Sequence, residues 1–257
     1  MGTWNRKELK EKAKCRLKAN YWKSVLVGML TLLIVGSASG ISGVTSGTSS
    51  SASSEMAGST FMGGITQIPM AGIIAIVFFA FAFVLIFMVI AVALQVLVCN
   101  PMEIGCNRFF YKNLEGNAEV KEVCYAFDRG YKNSVKVMFF RGLYTTLWSL
   151  LFIIPGIVKA YEYSMIPYIL SENPNMDKKE VFALSKQMMS GNKWKAFVLD
   201  LSFILWDILG ACTFGILNIF YIEPYKRLTD AGLYQALKEE QLEKREQKLI
   251  EDMIDEQ

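Results

Sequence analysis

The sequence predicts an all-α fold: a polytopic helical membrane protein of about six membrane segments, arranged as three helical hairpins with amphipathic helices on the cytoplasmic side. Three observations predict it. Hydrophobic residues fill 53% of the 257 positions, 17 of them Phe, and they gather into runs instead of recurring at the period of a soluble core. Basic charge is segregated: residues 1–23 hold eight Lys or Arg against two Glu, while Ser24–Asn107 has neither Lys nor Arg. The two apolar regions of the second half are each broken in the middle by small or turn-forming residues.

The basic segment 1–23 is expected to be an interfacial helix, with Leu9, Ala13, Leu17 and Tyr21 on one stripe. The apolar run Val25–Val35, extended from Trp22 to about Val44, approaches the ~20 residues that a bilayer requires. It reads as a first membrane helix. A cleaved secretory signal ending at Ser37-Ala38-Ser39 is the competing reading, for which the basic leader is long. Residues 36–67 form a Ser/Gly-rich external loop, too poor in apolar residues to offset the entropy of ordering it. Ile68–Val98 is almost wholly apolar and stops at Asn100-Pro101. At ~1.5 Å per residue, a helix of that length exceeds a hydrocarbon core of about 30 Å.

Residues 107–133 and 171–195 are expected to be cytoplasmic amphipathic segments. Between and after them lie Ser134–Leu170, interrupted at Pro155-Gly156, and Ala196–Ile222, interrupted from Gly210 to Gly215. Were each region a single crossing, Lys178, Lys179, Lys186, Lys193 and Lys195 would face outside, against the positive-inside rule. Hairpins keep every basic segment, and both termini, in the cytoplasm of a cell-membrane protein. The short returns 157–170 and 214–222 either span or re-enter. Residues 229–257 form a charged cytoplasmic C-terminal helix, solvated from Glu239 onward.

Self-similarity agrees with hairpins. Leu9-Lys10-Glu11, Lys121-Glu122-Val123 and Lys179-Glu180-Val181 each open a charged amphipathic stretch. Each stretch leads through an aromatic and Lys boundary into an apolar run. The stripes are Val120, Val123, Cys124 and Phe127 in the second copy, and Val181, Phe182, Ser185, Met188 and Met189 in the third. Pro101, Pro167 and Pro224 close the returns.

Charges inside membrane segments are functional candidates by default. Glu162, Asp200, Asp207 and Lys159 form the candidate intramembrane polar site. Asp200 and Asp207 are seven apart, on one helical face, and Lys159 and Glu162 share a face by a spacing of three. The competing reading makes these residues, with Arg141 and Glu223, structural ion pairs or snorkelling side chains. Trp4, Tyr21, Trp22 and Trp194 are candidate membrane-interface anchors, since amphipathic rings favour that depth. The chain has no His, and its five Cys include no CxxC pair. No catalytic residue, metal or cofactor is therefore expected. Membrane lipids are the expected partners and nucleic acid is not; the residues point to no protein partner or oligomeric state.

Trp4-Asn5-Arg6-Lys7-Glu8-Leu9-Lys10, the Tyr21-Trp22 pair, Ser185–Gly191, Leu201–Trp206 and the stretch from Glu223-Pro224-Tyr225 to Tyr234 resemble the domain of unknown function 975 family of bacterial integral membrane proteins. The resemblance implies a membrane location, in Gram-positive bacteria, and brings no activity and no catalytic residue with it. Relative to the family pattern the Ser/Gly-rich loop looks like an insertion. Two functions remain open: a non-enzymatic envelope-organising or sensing protein, and a small transporter or channel-like protein.

Overall fold

The computed structural model describes residues 4–39, 70–116 and 118–255. Among them every regular element is helical. The chain divides into two units, Met1–Gly36 with Val96–Gln257, and Ser37–Gln95.

The smaller unit contributes one described helix. The Ser/Gly-rich loop expected over 36–67 lies outside the described residues from position 40 on. The helix is α3 (Met70–Leu94), and its described large side chains, Ile74 and Ile76 through Leu94, are exposed. The helix long and apolar enough to cross a membrane falls here, in the run Ile76–Glu115, and none of its apolar window is buried.

The larger unit has one buried apolar core, to which its charge-bearing helices contribute most of the side chains. Helix α1 (Arg6–Ala19) starts where the Asn5 side chain accepts the Lys7 N–H at 3.1 Å, satisfying one of the orphan donors of a helix start. Its predicted stripe Leu9, Ala13 and Leu17 is buried. The stripe does not lie on a membrane surface, however, because it packs against the C-terminal helix. Helix α2 (Tyr21–Ser39) is apolar and takes in the first positions of the expected loop. Its inner face, Ser24, Val25, Val27, Thr31 and Ile34, is buried, while Leu26, Met29 and Leu33 are exposed.

Helix α4 (Asn100–Glu115) is the main departure from the sequence reading. Charges at Arg108 and Lys112 suggested a surface segment from 107 onward, yet Ile104, Phe109, Phe110 and Leu114 are among the most buried side chains of the described chain. The expected amphipathic stripe at 120–127 is a 3₁₀ turn, Val120–Cys124, followed by one helical turn, Tyr125–Asp128. It buries Val123 and Ala126 but leaves Val120, Cys124 and Phe127 exposed. Position 105 must be Gly, because a Cβ there would overlap the Val123 carbonyl.

Helices α5 (Tyr131–Leu151) and α6 (Ile153–Glu162) fold back on each other about the extended Phe152. A Cβ on Gly156 would come within 2.6 Å of Ser149 Cα, so the glycine permits the close approach of the two arms. The short α7 (Ile166–Glu172) is buried from Ile166 to Ser171, so the return counted as 157–170 is apolar and exposed only in its first part. Helix α8 (Lys178–Met189), capped by Asp177, buries Val181, Ser185, Met188 and Met189 as its periodicity predicts. The next pair is α9 (Lys193–Leu201) and α10 (Ile204–Cys212), separated at Ser202-Phe203. After α10 the chain reverses through Phe214 and Gly215, with φ of 52° and 80°. The 33-residue α11 (Glu223–Asp255) follows.

Each of the three prolines sits at the second position of a helix, Asn100-Pro101, Ile166-Pro167 and Glu223-Pro224. A π-helical turn precedes the first and third, Gln95–Cys99 and Asn218–Ile222. Proline lacks an N–H and crowds the preceding turn, which loosens the ladder there.

Helices α1, α4 and α8 all pack on α11. Its first half is not solvated: Tyr225, Leu228, Ala231, Tyr234 and Leu237 are buried, as are Glu240 and Gln241. Only the last turns expose their apolar residues, at Leu242, Leu249, Ile250, Met253 and Ile254.

Gly105→Ala should therefore lower the unfolding midpoint of the purified protein, at a cost of about 1–3 kcal/mol or more. Gly142→Ala, where a Cβ meets nothing within 4 Å, should be neutral or stabilising by about 0.5–1 kcal/mol through helix propensity. Thermal unfolding in detergent checks both.

Candidate functional site

The four residues of the predicted polar site do not form one site. Glu162 is buried in an ion-paired cluster, 3.0 Å from Lys159 Nζ and 2.8 Å from Lys193 Nζ. Its backbone carbonyl accepts the Ser185 hydroxyl at 2.7 Å. This is the structural ion pair of the competing reading. Asp207 is exposed on α10. The seven-residue spacing of Asp200 and Asp207 loses its meaning, because the helix is interrupted between them at Ser202-Phe203. Of the four, Asp200 alone lines the cavity described next.

Asp200 lines an open pocket of about 180 Å³ between α4, α5, α6, α7, α9 and α11. The Tyr161 hydroxyl donates to Asp200 Oδ2 at 2.7 Å. Arg141 donates to Glu103 at 2.9 Å, joining α5 to α4. Arg227 also lies on the wall and donates to Glu223 at 2.7 Å, one turn earlier on α11. Two acceptors on the wall receive no hydrogen bond among the described residues. Asn107 is only 3% exposed and its Oδ1 has no partner. The Asp230 carboxyl stands in no described hydrogen bond or ion pair, and its pKa is pushed up to about 7, first by withdrawal from water and then by the nearby charge of Asp200.

A second polar cluster fastens α11 to α7. Tyr234 donates to Glu172 at 2.6 Å, and Lys238 does so at 2.5 Å. Burial alone would raise the Glu172 pKa, but these donors hold it below the usual carboxylate range. Glu122 is held low in the same way, by Lys112 at 2.6 Å and Arg108 at 2.7 Å. Arg108 also donates to the Ser171 carbonyl.

The aromatic residues fall into two groups. Trp22 and Trp194 are exposed, at 74% and 73%, and Tyr21 stands edge-on to Trp22. Trp4 instead packs partly against the core, and its indole nitrogen is enclosed.

Of the cavity residues, the sequence reading had selected Asp200 and noted Arg141. It did not select Glu103, Asn107, Tyr161, Arg227 or Asp230: they lie on three different helices, and nothing in their local sequence signals that they meet. A usable signal was present on α11, where Tyr225, Leu228, Ala231 and Tyr234 recur every three residues and mark a buried face beside Asp230.

Among the described residues, fold and site thus define an all-helical protein with one exposed, membrane-length apolar helix and a pocket walled by charged side chains. A family model described as protein of unknown function (DUF975) matches residues 72–241. The chain belongs to the domain of unknown function 975 family, and every wall residue of the cavity lies inside the matched range. Trp4–Lys10 and Tyr21-Trp22 lie before that range. No curated protein and no solved structure matches the chain.

Tyr161→Phe should cost about 1–3 kcal/mol of stability, since it strips the Asp200 carboxylate of its donor. The pH dependence has two opposite contributions. Glu172 and Glu122, with lowered pKa, stabilise above the unfolded carboxyl pKa of about 4.3, and that stability is lost as pH falls through their folded values. Glu172→Gln should accordingly lower the unfolding midpoint at pH 7 by a few degrees, and by progressively less as pH falls below about 4.3. Asp230, with raised pKa, holds a proton that the unfolded chain has released, so its contribution falls as pH rises from about 4 to 7. Asp230→Asn should flatten that slope in a series of melts from pH 4 to 8.

Proposed function

We propose that this chain is a multi-pass cell-membrane protein that organises or senses the envelope without catalysing a reaction. One observation carries the reading: the most apolar segments are the most exposed, whereas the charged segments supply the core. Leu150, Phe152, Ile153 and Ile154 at the tip of one hairpin, and Phe214, 98% exposed, at the tip of the other, make an apolar surface that water penalises and lipid accepts.

Three hairpins, both termini cytoplasmic, keep the Lys-rich connections 107–133 and 171–195 on the cytoplasmic side. The recurrence of a proline at the second position of the helix after each pair supports three parallel repeats about an axis along the membrane normal. At ~1.5 Å per residue, the 21-residue α5 is about 31 Å long and crosses the hydrocarbon; the 10-residue α6, about 15 Å, re-enters. Trp22 and Trp194 anchor the inner interface, and lipids are the partners. Sensing is supported by the attachment of α1, α4 and α8 to the single helix α11, through which a shift in any one of them reaches the others. A non-enzymatic role is supported by the lack of His in the sequence and by the pairing of Glu162 with Lys159 and Lys193.

A membrane-impermeant thiol reagent on intact cells should reach Cys212 and label Cys15 and Cys124 only after lysis; all three are exposed on the protein. Labelling of Cys124 from outside would end the topology. Proteoliposomes should be tight to ions and small solutes, and deletion of the gene should change envelope permeability without abolishing uptake of any one solute.

The cavity favours a second reading, a small transporter or channel-like protein. Under it Asp200→Asn abolishes flux in proteoliposomes while Glu162→Gln, outside the cavity, leaves flux intact. Equal effects of the two substitutions would remove the cavity from the mechanism.

A further inference from the structure

The start of α1 and the start of α9 face each other across an open pocket of about 530 Å³. Trp4, Asn5 and Arg6 line it from one side, and Trp194, Lys195 and Val198 from the other. The lining thus holds two bases, two indole rings and one aliphatic side chain, with no acid among them. Trp194 is largely exposed, and Lys195 Nζ stands 5.9 Å from the centre of the Trp4 ring. Cations beside indole rings give the pocket a polar and an apolar half.

The excess of positive charge continues along α1. Arg6, Lys10 and Lys14 recur every four residues, which sets them on one helical face. None of the three stands in an ion pair among the described residues. Lys10 donates to Ser202 Oγ and lies over the Phe203 ring, and Lys14 stands 5.8 Å from the Tyr225 ring. Burial, and then the charges of Arg6 and Lys14, hold the Lys10 ammonium below its ordinary pKa. The row ends where α9 gives way to α10, and there Leu201, Ile204 and Leu205 are exposed. Unneutralised charge therefore borders apolar surface, with indole rings close to the boundary. A free anion uses the charge alone, whereas a phospholipid uses both, its phosphate on the bases and its acyl chains on the apolar side.

We propose that this pocket binds the phosphate headgroup of an anionic phospholipid, held by Arg6 and Lys195 between Trp4 and Trp194, with its acyl chains along Val198, Leu201 and Leu205. The planar guanidinium of Arg6 offers paired donors that match two phosphate oxygens. A zwitterionic headgroup brings an ammonium that a lining without acids leaves unpaired, so the site selects anionic over zwitterionic lipid. This inference rests on the reading of lipids as partners given above and names the class of lipid.

Full-length protein in neutral detergent is titrated, at constant ionic strength, with brominated phosphatidylglycerol or brominated phosphatidylcholine, whose bromines quench nearby tryptophan fluorescence. Saturable quenching by phosphatidylglycerol is expected at mole fractions about tenfold below those that phosphatidylcholine needs. Trp194→Phe should remove part of the quenching. Arg6→Gln combined with Lys195→Gln should abolish the preference for phosphatidylglycerol. Lys7→Gln combined with Lys186→Gln removes the same charge from exposed residues outside the pocket and should keep it. Each variant is checked for folding by gel filtration and melting. A folded wild type that does not distinguish the two lipids would overturn the proposal, and equal losses in the two double variants would replace the site by a diffuse attraction. Displacement of the lipid by inorganic phosphate would make it a site for free phosphate instead. Failure of the preference leaves the hairpin topology standing, and external labelling of Cys124 removes that topology while leaving binding in detergent untouched.

Discussion

Exposed apolar surface governs this protein. At about 1.5–3 kcal/mol for each large side chain withheld from water, the row from Ile76 to Leu94 alone outweighs the roughly 5–15 kcal/mol by which a typical domain is stable. Such a chain cannot present that surface to water and remain dispersed. The remaining elements have therefore to form a body from what is left, namely segments rich in Lys, Arg and Glu that still carry one apolar face.

That body is held by one long helix. α11 buries Tyr225, Leu228, Ala231, Tyr234 and Leu237 against α1, α4 and α8, and Glu172 ties it to α7 through Tyr234 and Lys238. Ionic groups at its margins sit in paired, hydrogen-bonded arrangements, which burial demands of them. Lys10 shows how closely the parts interlock: its ammonium donates to Ser202 Oγ at 2.6 Å and stands 4.3 Å above the Phe203 ring, where α9 gives way to α10. The N-terminal helix thus closes over the irregular point of the third apolar region.

The cavity is the exception to this economy of pairing. Glu103 meets Arg141 at 2.9 Å and Arg227 meets Glu223 at 2.7 Å, yet among the described residues Asn107 Oδ1 has no hydrogen-bond partner and Asp230 stands in no described ion pair. Two carboxyl groups in one pocket repel, and the weaker acid keeps its proton.

The sequence alone determined where the helices lie and which faces are apolar. The stripes of α1 and α8, the proline after each apolar pair and the reversal within Gly210–Gly215 were readable, because periodicity and backbone chemistry act locally, whereas the break expected at Pro155-Gly156 falls at Phe152, with both residues inside α6. It also carried the family, through motifs that recur along most of the chain. Only the tertiary structure decided what covers each apolar face. A stripe such as Leu9, Ala13 and Leu17 satisfies a membrane surface and a helix partner equally well by spacing, and here the partner is α11. The same limit hid the cavity: Asp200 and Asp207 share a face only if the helix between them is unbroken, and Asp230 was read only as part of a charged cytoplasmic helix. Which charges meet depends on contacts between residues far apart in the chain, and no local pattern records them.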